Sequence, residues 1–423
     1  MSAPDPYDEL PYRSLPIEWT APERLSMAAM LHGGPRPKLD SFRALELGCA
    51  NGANLLPQAF YRRCGTFVGI DAARSQIEVA ESRRLLLNLS NIEFICADFI
   101  TADECLEGEF DFIIGHGVFS WVPLQARDAL LRLCSSRLRS GGLLYLNYNS
   151  NPGWRVRGMI REFLLAQTAG LATLARRAQA AQAVAARIVS AVQGNDHAYS
   201  MLIANEFKFI CENDASYIAH EYLAPENHAY WRSEFVDLAQ SHGLTFVADA
   251  DFNYSTGRMP DGVAARLVEE KLTGRSVEDT VDLLCYRQLH SPILTKAPLV
   301  RSAVGPEEFG MILMASSLTP CGVTAVGHPV FRHISGYEVE AKEDAVRCAL
   351  ERLHPRWPRS VRIRELFSDV SGVMDDLQLL YRNGLIDLRL AEFGTDLDME
   401  RLKTMEREMG GYFTTPFHTR EAA

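Results

Sequence analysis

The chain has 423 residues, 47% apolar and 23% charged, with 43 basic and 54 acidic side chains and a net charge of −11. At about 150 residues per domain, this length implies two or three domains, and the composition excludes a mainly disordered, collagen-like or coiled-coil chain. The acidic balance argues against nucleic acid or anionic membrane as partners.

The start, Met1-Ser2-Ala3-Pro4-Asp5, lacks the basic and apolar stretches of a signal peptide, and no run of 18 apolar residues occurs. Nine scattered cysteines with no Cys-x-x-Cys pair read as reduced thiols. The expectation is a cytoplasmic protein without a metal centre.

From Arg43 to Tyr148, short β-type runs alternate with helical stretches. Ala44-Leu45-Glu46-Leu47 precedes a Gly/Asn turn and a helix to about Arg63. Thr66–Ile70 ends in Asp71, Ile92–Cys96 in Ala97-Asp98, and Phe110–Ile114 in Gly115-His116. A helix over 123–138 leads through Gly141-Gly142 to the apolar run Leu143-Leu144-Tyr145-Leu146. Strand, helix, strand at this spacing means βαβ units and a parallel sheet, with ligands beyond the carboxyl ends of its strands. Residues 161–193 contain no Pro, a single Gly and 11 Ala, which predicts one long helix or a helical hairpin. A mixed region follows from about Asp196 to His290. In the last third, helices over 343–353 and 374–382, the run Arg362–Phe367 and a strand over 384–389 suggest a winged-helix-like module. Its second-last element opens Met374-Asp375-Asp376, whose carboxylates would repel phosphates, so protein docking is the expected role.

The chemistry concentrates at strand ends. In Leu45-Glu46-Leu47-Gly48-Cys49-Ala50-Asn51-Gly52 a strand ends in a turn whose glycines let the backbone approach a ligand at the start of a helix. Nineteen residues beyond Gly52, Asp71 closes the second strand, where a carboxylate can accept both hydroxyls of a ribose. Asp98-Phe99 closes the third strand, placing an acid and a ring where an adenine would lie.

In this order the three strand ends resemble the first motifs of class I S-adenosylmethionine (SAM) methyltransferases, with Ala50 where the family's Glu-x-Gly-x-Gly-x-Gly has its middle Gly. The resemblance implies SAM as cofactor, held by Glu46, Gly48, Asn51, Gly52, Asp71, Ala72, Asp98, Phe99 and His116. Pro6–Ser14, His116–Val122, Tyr148–Trp154 and His220–Asn227 are together similar to bacterial methyltransferases that carry a methyltransferase regulatory domain. The same layout occurs in rickettsial protein-lysine methyltransferases acting on outer-membrane proteins. Where that family commonly has Arg-x-Phe-Arg, this chain has Tyr286-Arg287-Gln288-Leu289-His290.

The resulting expectation is an α/β protein with a Rossmann-like class I methyltransferase sheet over 1–155 and a long Ala-rich helical insertion over 156–195. A mixed α/β regulatory or lid domain over 196–298 and a mostly helical, winged-helix-like docking domain over 299–423 complete it. His116, Tyr148 and Asn149 are the candidate catalytic residues: His116 as base or as holder of the SAM carboxylate, Asn149 as acceptor of a hydrogen bond from a substrate amine. Phe119, Trp121, Trp154, His220 and Tyr222 are the candidate substrate pocket. The first expected acceptor is a protein lysine ε-amine, which must be neutral to attack although Lys starts near pKa ~10.4. The alternatives are a small-molecule acceptor, or a SAM-binding regulatory subunit without catalysis. A homodimer is compatible with any of these.

Overall fold

A computed structural model describes residues 9–12, 14–250, 266, 277–299, 304–333, 336–357 and 359–391. Pro6–Asp8 and Arg13 of the upstream motif, most of 251–276 and the last 32 residues lie outside the described residues.

Strands β1 (Phe42–Leu47), β2 (Gly65–Asp71), β3 (Ile92–Cys96), β4 (Phe110–Gly115) and β5 (Leu138–Leu146) are parallel, in the order β3-β2-β1-β4-β5. Their side chains alternate between two cores. Ala44, Phe67, Phe112 and Leu143 face the helices over 22–31, 55–61 and 74–86, while Leu45, Val68, Ile113 and Leu144 face the helices over 124–137 and 232–241. Near-continuous apolar runs are what a sheet covered on both faces requires. Each fully buried Leu, Ile or Phe contributes roughly 1.5–3 kcal/mol of transfer free energy to that layering.

The sheet does not end with β5. β9 (Pro292–Thr295) pairs antiparallel with β5, and β7 (Thr245–Asp249) pairs antiparallel with β9, giving seven strands in the order β3-β2-β1-β4-β5-β9-β7. β8 (Leu289–His290) pairs antiparallel with β6 (Tyr148–Asn149), just past the end of β5. The segment expected as a regulatory or lid domain over 196–298 thus contributes strands to the same sheet. Its second half completes the sheet, because β5 would otherwise present an unpaired edge of backbone N–H and C=O groups.

Its first half joins the Ala-rich insertion. That insertion is a hairpin of helices over 153–168 and 174–191, and helices over 198–212 and 215–222 close on it. Ala178, Ala181 and Ala185 recur on one helical face and let Ile160, Leu164, Phe207, Ile210 and Tyr222 pack closely against it. The run expected as part of a mixed lid, His220–Tyr222, lies at the end of the helix over 215–222.

The helix over 22–31 opens with Pro at its first position and Glu in its first turn. Its Leu25, Ala28 and Ala29 enter one core of the sheet, while Met27 and Met30 enter the core of the C-terminal part, so it is buried on two sides. The C-terminal part follows the expected helix, helix, helix, strand order over 344–353, 363–366, 374–382 and 387–389. Strands over 313–315 and 361–362 join the one over 387–389 in a three-stranded sheet, and strands over 319–323, 329–332 and 338–340 form a second.

Candidate functional site

The turn after β1 carries three residues at positive φ: Gly48 (74°), Ala50 (43°) and Gly52 (75°). The glycines are needed for space as well as for conformation. A Cβ on Gly48 would lie 2.4 Å from Cγ2 of Val118, and one on Gly52 would lie 2.8 Å from Cζ of Phe94. Ala50 sits in a region that L-residues enter at a cost of roughly 1–2 kcal/mol. A specific bond holds it there: its N–H donates to Oδ2 of Asp71 at 2.8 Å. The other oxygen, Oδ1, accepts from the N–H of Ala73 at 2.9 Å. Asp71 thus ties the end of β2 to the turn after β1, and each carboxylate oxygen has two lone pairs with which to do more.

Glu46 closes β1 from inside, only 3% exposed. Oε1 accepts from Nδ2 of Asn54 at 2.7 Å, whereas the buried Oε2 has no partner among the described residues. Burial pushes the Glu46 carboxyl up to about 7, with the Asn54 bond opposing and the nearby Asp71 charge reinforcing the rise. Asn51 has a buried Oδ1 that also lacks a partner among the described residues. Asp98 is exposed and accepts from Ile100 N, Thr101 N and Thr101 Oγ1 through Oδ1 alone. Ala72 is exposed beside Asp71, and Phe99 packs partly buried against the core.

His116, at the end of β4, stands in a network. Its Nδ1 lies 2.8 Å from the Tyr145 hydroxyl and 3.3 Å from Nδ2 of Asn147, and its ring stacks on Tyr145. Trp19 Nε1 donates to the same hydroxyl at 3.0 Å. Burial pushes the imidazole down to about 4. Trp19, Tyr145 and Asn147 are absent from the sequence-based site. Trp19 lies between the upstream run over 6–14 and the first strand, in no motif, and Tyr145 sits in a run that reads as apolar.

The remaining candidates divide. Asn149 is 5% exposed, its N–H donates to Ser120 Oγ at 2.8 Å, and its buried Nδ2 has no partner among the described residues. Tyr148 and Phe119 are buried in the core with Phe235, whose ring stacks on Tyr148 at 4.0 Å. Trp121 and Trp154 meet edge to face at 5.4 Å, and the Arg157 guanidinium lies over Trp154, Phe209 and Tyr222. Arg157 pairs with Glu206 at 3.1 Å, and Glu206 also accepts from Tyr222 and Gln288. Beside them Glu221 accepts from Tyr12 at 3.4 Å, and burial pushes its carboxyl up to about 7. His220 holds the N-terminal segment instead of lining this wall: its Nε2 lies 2.5 Å from the carbonyl of Leu10.

Behind β6, His290 bridges two acids, with Nε2 2.6 Å from Asp282 Oδ2 and Nδ1 3.3 Å from Asp249 Oδ2. The two carboxylates raise His290 to about 9 against the opposing effect of burial. Asp249 falls to about 2, burial being outweighed by His290, Arg232 and the Ser291 N–H. Among the described residues no three His, Cys, Asp or Glu side chains gather as metal ligands, and no helix is long and apolar enough to cross a membrane.

A seven-stranded sheet with one reversed strand, a glycine turn after its first strand and acids at the ends of the next two define the class I methyltransferases, whose cofactor is SAM. The family model described as a methyltransferase domain matches residues 44–142, and that described as a predicted methyltransferase regulatory domain matches 214–296. The chain thus carries a methyltransferase domain followed by a segment that matches the predicted methyltransferase regulatory domain.

It is 32% identical over 293 residues to the uncharacterized protein RP789 of Rickettsia prowazekii, a match spanning 69% of this chain and 52% of RP789. The uncharacterized protein RP028 of the same organism is 29% identical over 234 residues, which is 55% of this chain and 93% of RP028. The structure of PKMT2 from Rickettsia typhi in complex with AdoHcy superposes with a TM-score of 0.76 at 21% identity, covering 90% of this chain and 78% of that one. The chain thus spans about half the length of RP789, and the likeness to PKMT2 is one of fold.

Proposed function

We propose that the chain transfers a methyl group from SAM to a protein lysine ε-amine. The observation that carries the cofactor half is the turn between β1 and β2. Its glycines leave no Cβ in the way, Asp71 fixes its backbone, and Glu46 holds a buried carboxylate oxygen with no donor among the described residues. A SAM molecule supplies an ammonium suited to Glu46 and ribose hydroxyls suited to Asp71, with Asp98 and Phe99 at its adenine. Gly48, Asn51, Gly52 and Ala72 would line the approach. When bound, SAM supplies an electrophilic methyl group on a sulfonium, and the protein's task is alignment and exclusion of water.

The acceptor half is supported by Trp121, Trp154 and Tyr222 with Glu206 and Glu221, rings and carboxylates that already hold one cation, the Arg157 guanidinium. Aromatic faces and carboxylates suit a cationic side chain, and a low-dielectric wall favours its neutral, attacking form. The cited likeness to PKMT2 points the same way.

Tritiated-methyl SAM incubated with the enzyme and a source-cell lysate tests both halves. Label retained in acid-precipitated protein, mapped to lysine and lost with Asp71→Ala, is the expected result. Label found only in the low-mass filtrate would replace the protein acceptor by a metabolite. No transfer despite SAM binding would favour a regulatory subunit.

A further inference from the structure

We infer that His116 serves as a fixed hydrogen-bond donor, its Nδ1 lone pair held by Tyr145 and Asn147 and its proton kept on Nε2, so that it is not the base of the reaction. This rests on the methyltransferase reading for its consequence, but not for its geometry.

The argument follows the protons. The backbone N–H of Gly117 donates to Oδ1 of Asn147 at 2.6 Å, and a backbone N–H has no other role to take. That bond fixes the amide's orientation and turns its NH2 group toward Nδ1 of His116, 3.3 Å away. A protonated Nδ1 would set two donors against each other. The phenol gives the same answer independently. Trp19 Nε1 is only ever a donor, so the Tyr145 oxygen accepts from it, and the phenol's proton goes to a neighbour. His116 Nδ1 at 2.8 Å is a far better acceptor position than Ser291 Oγ at 3.4 Å. Both arguments leave Nδ1 unprotonated. A neutral imidazole then carries its proton on Nε2, which has no hydrogen-bond partner among the described residues.

An Nε2–H group offers a hydrogen bond to an oxygen of a bound ligand and cannot accept a proton from an amine. In the transfer, the acceptor's ammonium loses its proton to water before attack. The neutral nitrogen then forms its bond to the methyl carbon as the carbon–sulfur bond breaks, leaving a thioether and a methylated ammonium. His116 neither gains nor loses a proton in that sequence. Tyr145 and Asn147 are positioning residues for it, and Trp19 positions Tyr145.

The test is a long-range proton–nitrogen NMR spectrum of the full chain labelled with 15N-histidine, with the His116 signals assigned by their loss in His116→Gln. The spectrum needs neither cofactor nor turnover, so its failure is distinct from failure of the methyltransferase reading, which S-adenosylhomocysteine binding reports separately. The expected pattern is an unprotonated Nδ1 and a protonated Nε2, unchanged between about pH 5 and 8, in line with an imidazole pushed down to about 4. Asn147→Asp places an acceptor beside Nδ1 and is expected to convert the ring to imidazolium near neutral pH. If His116→Gln fails to fold, through-space transfer from the Tyr145 ring gives the assignment. A protonated Nδ1 in the wild-type protein, or an imidazole titrating between pH 5 and 8, would overturn the inference. So would an Asn147→Asp spectrum identical to wild type.

Discussion

Replacing Asp71 by Ala removes two contacts with different jobs. Its carboxylate accepts the Ala50 N–H at 2.8 Å and the Ala73 N–H at 2.9 Å, and the first of these holds Ala50 at a φ of 43°. Hydrogen bonds to a charged acceptor contribute roughly 1.5–3 kcal/mol each, and the partial exposure of Asp71 puts these at the lower end. Only the bond to Ala50 lies in the turn over 48–54, which should therefore lose about 1.5–2 kcal/mol of local stability in Asp71→Ala. The ribose bonds proposed for the same carboxylate would contribute a further 1–3 kcal/mol to binding, roughly a 5- to 150-fold weaker affinity.

Two assays separate these effects. Hydrogen exchange of the peptide covering 48–54, without ligand, reads the turn, and calorimetric titration with S-adenosylhomocysteine reads the ligand. Asp71→Asn keeps one acceptor oxygen and should fall between wild type and Asp71→Ala in both. Unchanged exchange in Asp71→Ala would refute the bond to Ala50 as the fixing element. Changed exchange with unchanged affinity would refute the ribose assignment.

Glu46, raised to about 7 by burial, contributes stability that is fully present below its ordinary value near 4.5 and is lost as pH rises through about 7. A ligand ammonium favours the ionised form, so S-adenosylhomocysteine affinity should rise by up to about tenfold from pH 6 to 7.5, and Glu46→Gln should flatten that titration. Gly48→Ala puts a Cβ 2.4 Å from Val118 at a φ of 74°; a loss of about 1–3 kcal/mol is expected, visible as a lower melting temperature and weakened ligand binding. His290→Ala leaves Asp282 with only Arg287 and the half-buried Asp249 with only Arg232 as cations among the described residues and should cost about 2–3 kcal/mol, seen as a fall in melting temperature at pH 7. In the wild type, the His290 contribution is full below pH 6.5 and lost through about 9, whereas that of Asp249 is full above 3.8 and lost through about 2. A His290→Ala melt equal to wild type would refute the buried latch.

What the sequence determined by itself is local. Alternation of β-type runs with helical stretches, glycine at a turn and an acid at the end of each of the next two strands are properties of a few adjacent residues. They place Glu46, Gly48, Gly52, Asp71 and Asp98 before any fold is known. The hairpin of Ala-rich helices is legible for the same reason, since helix propensity acts residue by residue.

What only the tertiary structure decided is pairing across long separations. Residues 245–249 and 292–295 complete the sheet because β5 needs an edge partner, a demand that no local pattern states. Tyr148 and Phe119, read as facing the reaction, are drawn into the core by Phe235. Trp19 and Tyr145 stand 126 residues apart and meet at His116, where the hydroxyl in a run that reads as apolar finds its partners. A buried polar atom must be satisfied by whatever the fold brings to it, and which group that is depends on the packing of the whole chain.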